Sequence, residues 1–138
     1  MPESIVRRLY PTRLMSARRA RTDCEITLGE WGFDGASEFA ADIRIIVGEL
    51  MANVVTHGRV PGARGRRIGF VMQKCGDAVR VEVRDGRDDR MPEVRQSADL
   101  DDGGRGLALV AAVADKWGVL PEVVGKTVWA EKRIPVRV

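Results

Sequence analysis

Cysteine, histidine and aromatic residues are scarce in this sequence. The two cysteines, Cys24 and Cys75, stand far apart in 138 residues and are too few for a disulfide framework. With a single histidine, His57, they make a poor zinc set, so both are expected to be ordinary, partly buried thiols. Aromatic residues form only 5% of the chain and do not interleave with the basic residues, which argues against a base-stacking surface. No apolar run approaches the length of a membrane span. The first residues, MPESIVRR, lack the apolar core of a signal peptide. The expectation is a cytoplasmic protein with no membrane partner.

The apolar fraction is 44% and the charged fraction 31%, a balance typical of a soluble globular chain rather than a disordered one. The length suits one domain, residues 1–138, with a real core. The net charge is +3. Its arginines cluster at Arg7, Arg8, Arg13, Arg18, Arg19 and Arg21, then at Arg59, Arg64, Arg66 and Arg67. Such a basic face can meet an acidic protein or nucleic acid, or it can be a solvated helix surface and loop. Direct nucleic-acid binding is the less favoured reading.

Periodicity divides the chain into seven elements after an edge strand or arm over residues 5–10. Thr12 stands at an N-cap position, and Leu14, Ala17, Ala20, Cys24, Leu28 and Trp31 recur at helical spacing. This predicts a helix over 13–31, stopped by Gly32. A second helix over 36–57 carries the stripe Phe39, Ile43, Ile46, Val47, Leu50 and Val54 and ends at Gly58. Residues 59–67, with Pro61, Gly62 and Gly65, read as a loop. Two strands, 68–73 and 78–83, flank a hairpin signal at Cys75-Gly76-Asp77. The polar stretch 86–104 reads as a lid, with its limits at about 87–104. A third helix starts near Arg105, and strands over 116–120 and 127–134 follow, joined by a turn at Gly125-Lys126. The order predicts an α+β two-layer sandwich: a mainly antiparallel mixed sheet with helices on one face.

Three constellations could carry chemistry. Glu49, Asn53 and His57 stand four apart, on one face of the second helix. Burying such a row beside an apolar stripe is costly without partners. An asparagine oxygen suits Mg²⁺, which keeps several waters and bridges phosphates, and a glutamate one turn away can take a proton from a nucleophilic hydroxyl. Alone, the row is better read as a surface row, with His57 and Gly58 merely ending the helix. Asp85-Gly86 ends an alternating strand, where a carboxylate can accept a bond from an exocyclic amine; alone, it could be a plain turn. Asp101-Asp102-Gly103-Gly104-Arg105-Gly106 precedes an apolar helix, where free amides favour an anion; alone, it could be a linker. Gly125-Lys126-Thr127 is not a P-loop, because the glycine required five positions earlier is Leu120. The glycine cluster is not in G-x-G-x-x-G register and has no βαβ unit around it.

Together, the three constellations stand in the order and spacing of the GHKL (Bergerat-fold) ATPases. The E-x-x-x-N-x-x-x-H-G helix motif, Glu49 to Gly58, with Gly103-Gly104-Arg105-Gly106-Leu107, most resembles small anti-sigma-factor serine kinases and related ATP-binding regulators. The resemblance spans about residues 10–135. It implies ATP and Mg²⁺ as cofactors, Asn53 as the Mg²⁺ ligand, Glu49 as general base and Asp85, beside Gly86, as reader of the adenine amino group. It further implies Gly103, Gly104, Arg105, Gly106 and Leu107 as phosphate loop and helix start, Thr127 as a hydroxyl near adenine, and His57 as an organiser of the lid. One departure stands out: many relatives carry D-x-G-x-G, whereas here the run is Asp85-Gly86-Arg87-Asp88-Asp89.

The expected function is an anti-sigma factor with serine/threonine kinase activity toward an anti-anti-sigma (STAS) protein. A sigma factor would bind at the first helix and the lid side, with the chain as monomer or homodimer. The alternative is a non-catalytic, ATP-dependent binding module.

Overall fold

The computed structural model describes residues 4–58, 67–85, 105–121 and 126–136. The first strand, β1 (Ser4–Pro11), leads through a tight turn into helix α1 (Leu14–Glu30). The turn is closed by a bond from the Arg13 amide to the Pro11 carbonyl at 2.9 Å. It moves the N-cap one residue past the expected Thr12. Arg13, extended at φ −140° and ψ 155°, precedes the helix and provides no side-chain cap. Ser16 fastens the first turn of the helix to the end of β1 by donating its hydroxyl to the Pro11 carbonyl. At the other end the expected stop holds. Gly32 adopts φ 88°, and the Gly32 and Phe33 amides return to the Gly29 and Leu28 carbonyls, a Schellman closure that disfavours any residue with a Cβ.

Helix α2 (Glu38–Gly58) is capped by Ser37, whose Oγ accepts the Ala40 amide at 3.1 Å. Asp34 braces the cap by accepting the Ala36 amide on its carboxylate. Phe39, Ala40, Ile43, Ile46, Val47, Leu50, Met51, Val54 and Val55 of α2 are all buried. That stripe is too wide for one neighbour, and α2 packs against α1, α3 (Arg105–Val113) and the sheet together. Among the described residues no helix is long and apolar enough to cross a membrane.

The remaining strands are β2 (Arg67–Cys75), β3 (Ala78–Asp85), β4 (Lys116–Pro121) and β5 (Lys126–Arg133). The five form one sheet in the order β1-β2-β3-β5-β4. Every pairing is antiparallel, so the described sheet has no parallel component to make it mixed. Lys126 belongs to β5 rather than to a turn, because its register continues opposite Asp85 on one side and Pro121 on the other.

Alternation decides what each face of the sheet meets. Phe70, Met72, Val79, Val81, Val83, Val128 and Ala130 are buried beneath the helices in one core with α1, α2 and Val110 of α3. Truncating one of the larger members, such as Phe70, would cost about 3–5 kcal/mol. The opposite face carries Arg80, which reaches Glu82 at 2.7 Å and Glu131 at 2.9 Å and lies 4.2 Å from the centre of the Trp129 ring. Trp129 in turn lies over Gly118, where a Cβ would come within 2.9 Å of the indole. Burial works to lower the Arg80 pKa, but Glu82 and Glu131 outweigh it and hold the guanidinium above its ordinary value.

Candidate functional site

Polar side chains that fold into an interior need partners, so the buried polar residues show where the fold makes exceptions. Among the described residues these are Ser16, Thr27, Asn53, Asp85 and Thr127. Ser16 and Thr27 belong to α1 and sit at its packed side. The other three come from α2, the end of β3 and the start of β5, and all three belong to the set expected from the sequence.

Asn53 lies on α2 because the helix continues through it without a break, and only 9% of it is exposed. It makes no side-chain hydrogen bond to another described residue. An amide left in that state costs about 1–3 kcal/mol, which a ligand could offset. One turn earlier, Glu49 is half-buried. His57 and Gly58 close α2 in the backbone.

Asp85 is the last residue of β3, only 6% exposed, and is the one carboxylate in the buried set among the described residues. Its register partners are Ile68 on β2 and Lys126 on β5. Thr127, 4% exposed, stands next along β5, opposite Arg84 on one side and Leu120 on the other. The sheet therefore brings Asp85 and Thr127 to adjacent strand ends. Arg105, Gly106 and Leu107 form the first turn of α3, with Leu107 partly buried against the core. Gly86, Gly103, Gly104 and the expected lid over 87–104 lie outside the described residues.

Among the described residues no group of three or more His, Cys, Asp or Glu could cage a metal. One buried amide oxygen with no side-chain partner among the described residues fits Mg²⁺ in the form that takes most of its shell from water and phosphate. A buried carboxylate at the end of β3 fits the amine-bearing edge of a heterocycle. The residues present therefore fit both groups.

Two features escaped the sequence reading. Lys126 faces Asp85 across the β3–β5 ladder, a pairing with no local signal. An open groove of about 320 Å³ lies between α1 and α2, lined by Glu25, Leu28, Gly35, Ala40 and Arg44. Arg44 spans it, bonding the Gly35 carbonyl at 3.0 Å and approaching Glu25 at 3.7 Å. Ala40 lies about 20 Å before Asn53 along the helix axis, so the groove is separate from the buried polar set.

The sequence profile of the histidine kinase-like ATPase domain family matches residues 10–132. Among solved structures, the chain is similar to the crystal structure of the RsbU and RsbW domains of Rv1364c from Mycobacterium tuberculosis. The two are 21% identical with a TM-score of 0.71, and the match covers 99% of this chain and 34% of that one. At that identity the likeness is one of fold, and this chain spans about a third of that protein's length. No protein of curated function matches in sequence.

Proposed function

The chain belongs to the histidine kinase-like ATPase domain family, and from that premise we propose that it binds ATP with Mg²⁺ and acts as a regulatory serine/threonine kinase of the anti-sigma type. The observation that carries the reading is the burial of Asn53, Asp85 and Thr127, with Asn53 lacking a partner among the described side chains.

Asp85 would accept the amino group of adenine, and the Thr127 hydroxyl would bond the same ring edge. Asn53 would hold Mg²⁺, which when bound neutralises charge on the phosphates. Amides of Gly104, Arg105 and Gly106 would hold the phosphate oxygens at the positive end of α3, with Gly103 before them and Leu107 fixing the helix to the core. His57, at the end of α2, would organise the lid. Glu49 would accept the proton of a partner serine as its oxygen forms a bond to the γ-phosphorus. The bond from that phosphorus to the bridging oxygen breaks, and ADP leaves.

A protein partner is supported by α1. Leu14, Met15 and Ile26 are largely exposed there beside Arg18, Arg19 and Arg21. None of these arginines forms an ion pair with another described residue. A sigma factor or a STAS-type protein with an acidic, partly apolar face would suit such a surface.

Calorimetric titration of Mg-ATP into wild type and Asp85→Asn tests the site. Saturable binding that the substitution abolishes is expected; no binding to wild type would end the nucleotide reading. Phosphate transfer from labelled ATP to STAS proteins of the source organism then tests the chemistry. Transfer should vanish in Glu49→Ala while Mg-ATP still binds. Binding without transfer in wild type would favour the non-catalytic module.

A further inference from the structure

We propose that Lys132 is a positioning residue of the nucleotide site, tying α3 to α2 and so fixing where α3 presents its first turn to the phosphates. The positioning role rests on the nucleotide reading above; the tie itself does not.

Lys132 stands on the helix-covered face of β5, opposite Val79 and in line with Val128 and Ala130. Its neighbours along that face are apolar, and a methionine would fill the space without desolvating a charge. A lysine is held there by two partners. Its Nζ donates to the Val113 carbonyl at 2.7 Å and lies 3.3 Å from Asp42 Oδ2. The two side chains are 23% and 19% exposed, so water weakens this pair less than it weakens a surface pair.

Val113 is the last residue of α3. Its carbonyl has no partner within the helix, and a cation there meets the negative end of the helix dipole. The same junction is closed by the Asp115 amide on the Glu131 carbonyl at 2.9 Å and by the Arg133 amide on the Asp115 carboxylate at 2.6 Å. α3 has only nine residues, too few to be stable alone. Its direction is therefore set by what it touches, and Lys132 touches its end.

Three elements leave this one ammonium group. From Asp42, α2 runs on to Glu49 and Asn53; from Val113, α3 runs back to Leu107 and Arg105; from Lys132, β5 runs back to Thr127. Each ends in a residue proposed to hold ATP, Mg²⁺ or the phosphates. Helices transmit tilt as rods, and α3 is about 12 Å long from Val113 to Arg105. A small rotation at the tied end becomes a displacement at the other, where misplacement of reacting groups by about 1 Å can cost on the order of 100-fold in rate.

The experiment compares wild type with Lys132→Met, Lys132→Arg, the milder Asp42→Asn and a remote control, Tyr10→Phe. Tyr10 bonds Asp23 at the opposite edge of the sheet. Two readouts are taken: hydrogen exchange of the α3 amides without nucleotide, and Mg-ATP affinity. Lys132→Met should speed α3 exchange and weaken Mg-ATP binding by about tenfold, the scale of one hydrogen bond to a charged group. Asp42→Asn should move both the same way by less, and Lys132→Arg should restore most of both. Tyr10→Phe should leave affinity within about twofold. Unchanged α3 exchange in both Lys132→Met and Asp42→Asn would overturn the tie. An equal loss of affinity in Tyr10→Phe would overturn the positioning role. A wild type that binds no Mg-ATP would overturn the nucleotide reading and the positioning role with it, while faster α3 exchange would still establish the tie.

Discussion

On the open face of the sheet, Arg80 has every partner a guanidinium needs: Glu82 and Glu131 at hydrogen-bond distance and the Trp129 ring above it. In α2, Asn53 is more deeply buried and has no side-chain partner among the described residues. The two regions hold polar groups out of water for opposite ends. The Arg80 network is closed on itself, which rigidifies the sheet and leaves nothing to offer a ligand. At Asn53 an amide is buried at a cost in stability, and Asp85 and Thr127 are likewise buried at the sheet ends. Burial of polar groups alone therefore does not mark a site; what separates the regions is whether the protein itself completes the bonds.

The largest effect should come from closing the open region. Asn53→Leu should lower Mg-ATP affinity by about 100-fold and remove its dependence on Mg²⁺. The melting temperature should stay level or rise, because a buried amide with no side-chain partner among the described residues has been removed. Calorimetry with and without Mg²⁺, beside thermal denaturation, reads both. Intact binding with a large drop in melting temperature would reverse the comparison.

On the closed side, Gly118→Ala drives a methyl against the Trp129 indole, where the ideal Cβ sits 2.9 Å away. Overpacking of this kind should cost about 1–3 kcal/mol, measured by urea unfolding, while Mg-ATP affinity stays unchanged. Arg80→Met should cost about 1–2 kcal/mol by leaving Glu82 and Glu131 without their shared cation. Screening in high salt should shrink that loss. A change in nucleotide affinity in either variant would mean that the two regions are coupled.

The smallest effect concerns the packing of α1 into the core. Burial pushes the Cys24 thiol up to about 12, so it stays protonated at neutral pH and out of reach, whereas Cys75 is half-buried. A thiol reagent should label one cysteine in the native protein and two in urea. Two in the native state would show α1 opening from the core.

Much of this was legible in the chain because the signals are local. Val79, Val81 and Val83 alternate, and they do face the core. Gly32 was expected to stop α1 and does so with positive φ. The start of α1 was misplaced by one residue because Thr12 carries good cap chemistry. The closure from Arg13 to Pro11 depends on how β1 is held, which no cap rule contains. The turn expected at Gly125-Lys126 failed at Lys126 for a similar reason, since a lysine beside a glycine carries no sign that its neighbours in space are Asp85 and Pro121.

The sequence by itself determined the alternation of the strands, the apolar stripe of α2, the fourfold spacing of Glu49, Asn53 and His57, and the family. Each of these is a property of residues a few positions apart, fixed by backbone period. Only the tertiary structure decided the register that sets Asp85 opposite Lys126, the burial that leaves Asn53 without a described partner, and the meeting of Lys132 with Asp42 and Val113. Those contacts join distant parts of the chain. Their free energy comes from packing and desolvation, which no single stretch of sequence carries.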